Sequence, residues 1–115
     1  MIEVSDASFE EMVNDAIDLI PEEFARHLGN VVFLVQEFNE ANPEILGLYE
    51  GVMLTERTFD HTGFLPDTIS IYKGALQRFC DTEEQLAAEI KVTVFHEVGH
   101  YFGLEEHELH ELGWG

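Results

Sequence analysis

The pattern His-Glu-Val-Gly-His at residues 96–100 constrains this chain more than any other feature of its sequence. It lies in a segment that opens with the helix-capping residues Asp81 and Thr82 and keeps apolar residues at helical spacing to about Gly103. Side chains at positions i and i+4 lie one turn apart on the same face of a helix. Both imidazoles can therefore reach one metal ion, at the Zn–N distance of about 2.0–2.1 Å.

Glu97 follows the first histidine of this pattern and is predicted to flank the metal without ligating it. From there its carboxylate can take the proton of a metal-bound water, which makes Glu97 the predicted general base. The alternative is that His96 and His100 are hydrogen-bonded core histidines. The position after a largely apolar run at residues 92–95 favours the metal site, because unpaired histidine and glutamate side chains are costly to bury.

A catalytic zinc site needs three protein ligands and an open fourth position, so one ligand must come from outside the pattern. Gly103 allows the backbone to leave the helix with positive φ and to turn back beneath the metal. In sequences of the form HExxHxxGxxH the third ligand lies six residues after the second histidine, and here that residue is Glu106. His107 and Glu105 are the alternatives, although a helical His107 would point about 100° away. The predicted Zn²⁺ ligands are His96, His100 and Glu106.

Length and composition indicate one domain, spanning residues 1–115. The chain is 45% hydrophobic, which is enough for a single modest core. No segment resembles a secretory signal, and none approaches the roughly 18 apolar residues of a membrane span. The single cysteine, Cys80, cannot form an internal disulfide. These features predict a cytoplasmic protein in which Cys80 is a small core residue.

The charge balance is strongly acidic, with 24 acidic residues against 5 basic ones and a net charge of −19. Such a surface repels nucleic acid and anionic membranes and attracts cations or basic peptides. A simpler explanation is that the acidic residues only keep the surface soluble. We therefore expect a peptide or protein partner, with basic peptides as one option, and neither nucleic acid nor a membrane. The oligomeric state stays open.

Hydrophobic periodicity predicts an α+β fold with a small, mainly antiparallel or mixed sheet and helices packed on one of its faces. A helix over residues 8–19, capped by Asp6 or Ser8, should be interrupted or restarted at Pro21 and run to about His27. Strands are predicted at 30–38, which reads as buried, at 46–52, and at 67–74 with Ile69 and Ile71 inward. Further helices are predicted at 74–80, from 82 to 103, and at 105–111.

Several other residues are weaker candidates. Tyr49, Arg57 and Tyr101 could stabilise an oxyanion, although packing or a surface ion pair is the simpler explanation for each. His110 lies one helical turn from Glu106 and could donate to it or remain exposed.

Two residues carry packing predictions. Trp114 is expected to pack the C-terminal segment onto the sheet. Gly99, inside a helix where glycine costs about 1 kcal/mol against alanine, is expected to have a close neighbour.

The segments HEVGHYFGLEEHELHELGW, NVVFLVQEF, ILGLYEGVMLTER and LPDTISIYKGAL together resemble the small bacterial zincin-like metallopeptidase family, the minimal zincins. The resemblance covers nearly the whole chain, from about residue 9 to Trp114. It implies a small sheet, an active-site helix carrying HExxH with His96, Glu97 and His100 in their family roles, and a short C-terminal helix. The family usually shows HExxHxxGxxD, so Glu106 lengthens that side chain by one methylene.

The motif and the resemblance together imply a Zn²⁺-dependent metallopeptidase. An extended peptide would be held by adding a strand to the sheet edge at residues 46–59. One alternative is a non-catalytic binding module that zinc stabilises by holding the C-terminal segment. Glu97 disfavours it, because a structural site needs no base. The other alternative, a metal-dependent endoribonuclease, is disfavoured because an RNA-binding surface should be basic.

Overall fold

The computed structural model describes residues 1–51 and 66–115. The predicted candidate Arg57, and residues 52–59 of the predicted sheet edge, lie outside these ranges. The helices are α1 (Asp6–Asp18), α2 (Glu22–Ala25), α3 (Lys73–Phe79), α4 (Glu83–Tyr101) and α5 (Glu106–Glu111). The strands are β1 (Val31–Gln36), β2 (Gly47–Glu50) and β3 (Asp67–Tyr72). No helix in the described ranges is long and apolar enough to cross a membrane.

The three strands form a mixed sheet in the order β1-β3-β2. β1 runs parallel to β3, with Phe33 opposite Ile69, and β2 runs antiparallel to β3, with Tyr49 opposite Ile69. Ile69 and Ile71 are fully buried, as their alternation predicts, because β3 has a neighbour on each side and α4 packs against it. The predicted α+β fold with a small mixed sheet is confirmed.

β1 is less buried than its apolar sequence predicts. Val32, Leu34 and Val35 each keep more than a third of their surface exposed. The physical reason is position, because within the described residues β1 pairs only with β3 and is an edge strand. A run of β-branched and aromatic residues predicts a strand, but it does not distinguish the centre of a sheet from its edge.

α1 begins slightly earlier than predicted, because Ser5 is its N-cap in place of Asp6 or Ser8. The Ser5 hydroxyl accepts a hydrogen bond from the Ser8 backbone N–H at 3.1 Å. The helix then packs its buried residues, among them Phe9 and Val13, against α4. α1 and β3 thereby fix α4 from two sides.

α4 is capped by Thr82, whose hydroxyl accepts from the Gln85 N–H at 3.1 Å, as predicted. The Gln85 side chain accepts from the Asp81 N–H at 2.8 Å, so the reciprocal bond falls one residue before the cap. Along one face of α4, Leu86, Ile90, Val94 and Val98 are fully buried. This face anchors α4 in the core, and His96 and His100 lie on a different face of the helix.

Cys80 lies in the core with 2% of its surface exposed, as predicted. Burial raises the pKa of its thiol, and the nearby carboxylates of Glu89 and Asp81 raise it further. The thiol is therefore protonated at neutral pH and is a poor nucleophile.

Candidate metal centre

His96 and His100 project from the same face of α4, one turn apart. Their ring centroids are 4.7 Å apart, and the ring planes cross at 84°. Both side chains are partly exposed. The two imidazoles therefore face a common point that solvent can reach.

Glu106, the first residue of α5, contacts both imidazoles. Its Oε1 lies 3.3 Å from His96 Nε2 and 3.4 Å from His100 Nε2. Donor atoms that bind a tetrahedral zinc at about 2.0–2.1 Å lie about 3.3–3.4 Å apart. The two separations from Glu106 Oε1 thus match those expected around one tetrahedral ion, and nitrogen and carboxylate oxygen are donors that zinc accepts.

The turn between α4 and α5 brings Glu106 into this position. Gly103 has φ of 76°, and its N–H donates to His100 O, while Leu104 N–H donates to Gly99 O. These two bonds form a Schellman motif, which ends α4 and reverses the chain. The positive φ predicted at Gly103 is confirmed.

The two alternative third ligands lie differently. The His107 ring faces Glu105, with 3.5 Å between Nδ1 and Oε2. The Glu105 N–H donates to the carboxylate of Glu108 at 3.0 Å, at the start of α5. Within the described residues, neither His107 nor Glu105 makes an ion pair with His96 or His100.

Gly99 allows α5 to pack directly on α4. A Cβ added at Gly99 would lie 2.0 Å from Leu109 Cδ2, far inside van der Waals contact. Leu109 is fully buried and stands one turn after Glu106 on α5. The close neighbour predicted for Gly99 is therefore Leu109. This contact fixes how closely α5 approaches α4, and thereby the position of Glu106 relative to the two histidines.

His96 has a second partner that the sequence did not indicate. Its Nδ1 lies 3.1 Å from the backbone carbonyl oxygen of Trp114. A carbonyl can only accept, so Nδ1 carries a proton, and Nε2, the nitrogen that faces Glu106, is the one that would bind a metal. A hydrogen bond of this kind is a common way to orient a metal-binding imidazole.

The Trp114 ring packs against aromatic side chains of two helices and belongs to the same buried core as Ile69 and Ile71 of the sheet. It makes edge-on contacts with Phe24 of α2 at 5.2 Å and with Phe95 of α4 at 5.1 Å between ring centroids. The Trp114 N–H donates to Leu109 O at 2.8 Å. These contacts hold the carbonyl that binds His96.

Glu97 is buried, with 8% of its surface exposed, between α4 and β2. Its Oε1 accepts the Tyr49 backbone N–H at 2.8 Å. Burial raises the pKa of the Glu97 carboxyl, and His100, the Tyr49 N–H and His96 act in the opposite direction. Glu97 also lies within 4.8 Å of the donor atoms of both histidines, so two carboxylates stand close to them.

β2 can approach Glu97 because residue 47 is a glycine. A Cβ at Gly47 would lie 2.5 Å from Thr93 Cγ2 and 3.4 Å from Glu97 Cγ. Any side chain there would push β2 away from α4. Gly47 therefore makes the contact between Tyr49 N–H and Glu97 possible.

The chain is similar to known proteins in sequence and in fold. Residues 28–114 match the family model described as zincin-like metallopeptidase. The chain belongs to the zincin-like metallopeptidase family. Among solved structures, a conserved hypothetical protein from Thermus thermophilus is similar, with a TM-score of 0.59 and 25% sequence identity. The alignment covers 86% of this chain and 94% of that one. No curated protein matches the chain.

Membership in the zincin-like family confirms the resemblance stated from the sequence, and at family level it supports a metallopeptidase-like role. The family implies a metal, typically zinc. The described residues include a second group with suitable donors, Glu105, His107 and Glu108. Two of its three residues are exposed and Glu108 is half-buried, whereas Glu97 of the first group is buried.

The remaining candidates of this zincin-like chain are engaged elsewhere. The Tyr49 hydroxyl donates to Asp67 Oδ2 at 2.8 Å, and the Tyr101 hydroxyl donates to His27 O at 3.2 Å. Their rings pack edge-on at 5.8 Å. His110 is exposed, and no hydrogen bond joins it to Glu106 in the part of the chain that the structure describes.

Replacing Gly99 with alanine tests whether this zincin-like centre depends on the close contact of α5 with α4. We expect a loss of about 1–3 kcal/mol from overpacking, partly offset by the roughly 1 kcal/mol that alanine gains in a helix. Zinc affinity should fall together with stability, because Glu106 moves with α5. Urea denaturation and a competitive zinc titration measure both quantities.

Gly29→Ala is the matched control, since an added Cβ there meets nothing within 4 Å. In a Leu109→Ala background, Gly99→Ala should cause little further loss, because the atoms it clashes with are gone. Unchanged zinc affinity in Gly99→Ala would contradict this description of the α4–α5 contact.

Proposed function

We propose that this chain is a zinc-dependent metallopeptidase in which His96, His100 and Glu106 hold the ion and Glu97 is the general base. The observation that carries the proposal is the contact of one Glu106 oxygen with both histidine Nε2 atoms, at 3.3 and 3.4 Å. These three ligands leave a fourth position for water or substrate, as catalytic sites do.

The surroundings of the two carboxylates support the roles of Glu106 as ligand and Glu97 as base. Glu106 has an exposed side chain directed at both imidazoles, which suits a ligand. Glu97 is buried and directs one oxygen at the Tyr49 N–H, which suits a positioned base. Zinc at this centre would polarise the scissile carbonyl and lower the pKa of a water.

Glu97 would then transfer the proton from the water to the leaving amine. The water oxygen attacks the carbonyl carbon, and the Glu97 carboxylate accepts the water proton at the oxygen that Tyr49 does not occupy. Glu97 passes this proton to the amide nitrogen, the C–N bond breaks, and an amine leaves. The Tyr49 N–H keeps the carboxylate oriented throughout, because it is a backbone group fixed by the sheet.

The substrate we propose is an extended peptide lying along β2. Within the described sheet, β2 pairs only with β3, and an added peptide strand would lie along the other edge of β2. Tyr49 N–H is directed at Glu97, so a bound peptide would use other backbone groups of this edge. The net charge of −19 favours a peptide or protein over nucleic acid as the partner.

A broad peptide library tests the proposal. Zinc-loaded protein should cleave at least some peptides, chelated protein should cleave none, and added zinc should restore cleavage. Mass spectrometry of the products identifies the bonds cut. Zinc-loaded protein that cleaves no peptide would contradict a peptidase function.

One observation favours a second candidate, the non-catalytic zinc-stabilised module. A metal bound here would join α4 to α5, and His96 is already linked to the C-terminal segment through Trp114 O. Zinc would then raise the thermal midpoint without any cleavage. Buried Glu97 beside the histidines favours the catalytic function.

A further inference from the structure

A groove runs along α4 from the metal centre toward the N-terminal end of the helix. Its volume is about 270 Å³, and it lies between α4 and the start of β2. His96 and Glu97 form one end of it, and Glu89 stands at the other. Seven residues separate Glu89 from His96, so at a rise of about 1.5 Å per residue the two are about 10 Å apart along the axis.

The walls and the far end of the groove differ in chemistry. Leu46, immediately before β2, and Val92 of α4 are both half-buried and supply apolar walls next to the centre. Glu89 is half-buried and supplies the carboxylate. Within the described ranges, Glu89 has no hydrogen bond or ion pair, and the nearby Lys91 directs its ammonium at the Phe95 ring instead.

We infer that this groove is a specificity subsite for a lysine or arginine side chain next to the cleaved bond, with Glu89 as the residue that selects it. The inference rests on the proposed peptidase function. Long basic side chains have an alkyl stem that packs on apolar surface and a cationic head that needs an anion or water. Leu46 and Val92 match the stem, and Glu89 matches the head.

The position on the helix supports this assignment. At about 100° per residue, Glu89 lies on nearly the same stripe of α4 as His96 and His100. Glu84 lies on α4 as well, but it is exposed and lies about 140° around the helix from Glu89. General attraction by the acidic surface would treat these two glutamates alike, whereas a subsite distinguishes them.

Steady-state cleavage of paired peptides tests the subsite. The peptides share one cleaved sequence and differ only in carrying lysine, methionine or glutamate at each position flanking the bond, at about 0.15 M ionic strength. Zinc-loaded wild type should prefer lysine over methionine about tenfold in kcat/KM at one of these positions, as expected for a charge-assisted hydrogen bond. Glu89→Gln should bring the ratio near one, Glu89→Lys should reverse it toward glutamate, and Glu84→Gln should leave it unchanged.

The outcomes separate this inference from the proposed function. Cleavage without a lysine preference, or a preference that survives in Glu89→Gln, overturns the subsite while the peptidase function stands. If no peptide is cleaved, fluorescence anisotropy with the same labelled peptides decides. Lysine-selective binding that Glu89→Gln abolishes and Glu84→Gln spares supports the groove as a site for basic side chains, and non-selective binding overturns it.

Discussion

Replacing Glu97 with glutamine is expected to reduce peptide cleavage by about 10²–10⁴-fold while zinc stays bound. Glutamine keeps the shape of the side chain and an oxygen that can accept the Tyr49 N–H, which Glu97 now accepts at 2.8 Å. It cannot accept a proton from water. The measurement is kcat/KM on a cleaved peptide, together with zinc content after dialysis.

Two results would contradict this role for Glu97. Cleavage within a few-fold of wild type would exclude it as the general base. Loss of zinc would make it a ligand, which its position within 4.8 Å of the histidine donor atoms allows. Glu111→Gln is a matched control, because it removes one exposed carboxylate from the last residue of α5 and should change neither quantity.

Replacing Glu106 with alanine is expected to weaken zinc binding by more than about 100-fold. Loss of a residue that only hydrogen-bonds to a metal ligand already lowers metal affinity about 10–100-fold, and Glu106 is a proposed ligand itself. Its Oε1 is the one carboxylate oxygen in the described residues that forms ion pairs with both His96 and His100. Cleavage should disappear with the metal. Competition with a chromophoric chelator measures the affinity.

Glu105→Ala and His107→Ala are the informative comparisons, since both residues are alternative third ligands. Each should retain zinc, because their contacts are with each other and with the start of α5. A retained metal in Glu106→Ala, combined with its loss in either comparison variant, would move the third ligand to that residue.

The local parts of the centre could be predicted because they follow from helix geometry. The spacing of His96 and His100 fixes a shared face, and Gly103 supplies the positive φ that a Schellman turn requires. Counting along the chain then leads to Glu106. The extra methylene relative to the family's usual aspartate still leaves its carboxylate in contact with both imidazoles.

The non-local parts could not be predicted, because they use backbone groups. The Trp114 carbonyl that binds His96 and the Tyr49 N–H that binds Glu97 belong to residues 18 and 48 positions away. Nearly every residue type supplies these groups, with proline lacking only the N–H, so the sequence carries no signal for them. Only Gly47, which lets β2 approach α4, hints at the second contact.

The edge position of β1 could not be predicted for a related reason. Its apolar run specifies a strand, whereas the strand order depends on how distant segments pair. The N-cap of α1 also differs from the prediction. Ser5, Asp6 and Ser8 are all good N-cap residues, and the sequence alone does not decide at which of them the helix begins.

Zinc K-edge X-ray absorption spectroscopy, on protein loaded with one equivalent of zinc, tests the central claim most directly. The expected spectrum contains two imidazole nitrogens at about 2.0–2.1 Å and oxygen ligands at about 2.0–2.2 Å in a four-coordinate shell. In Glu106→Ala the oxygen contribution should change. A spectrum of hydrated zinc without imidazole scattering would contradict a metal centre at His96 and His100.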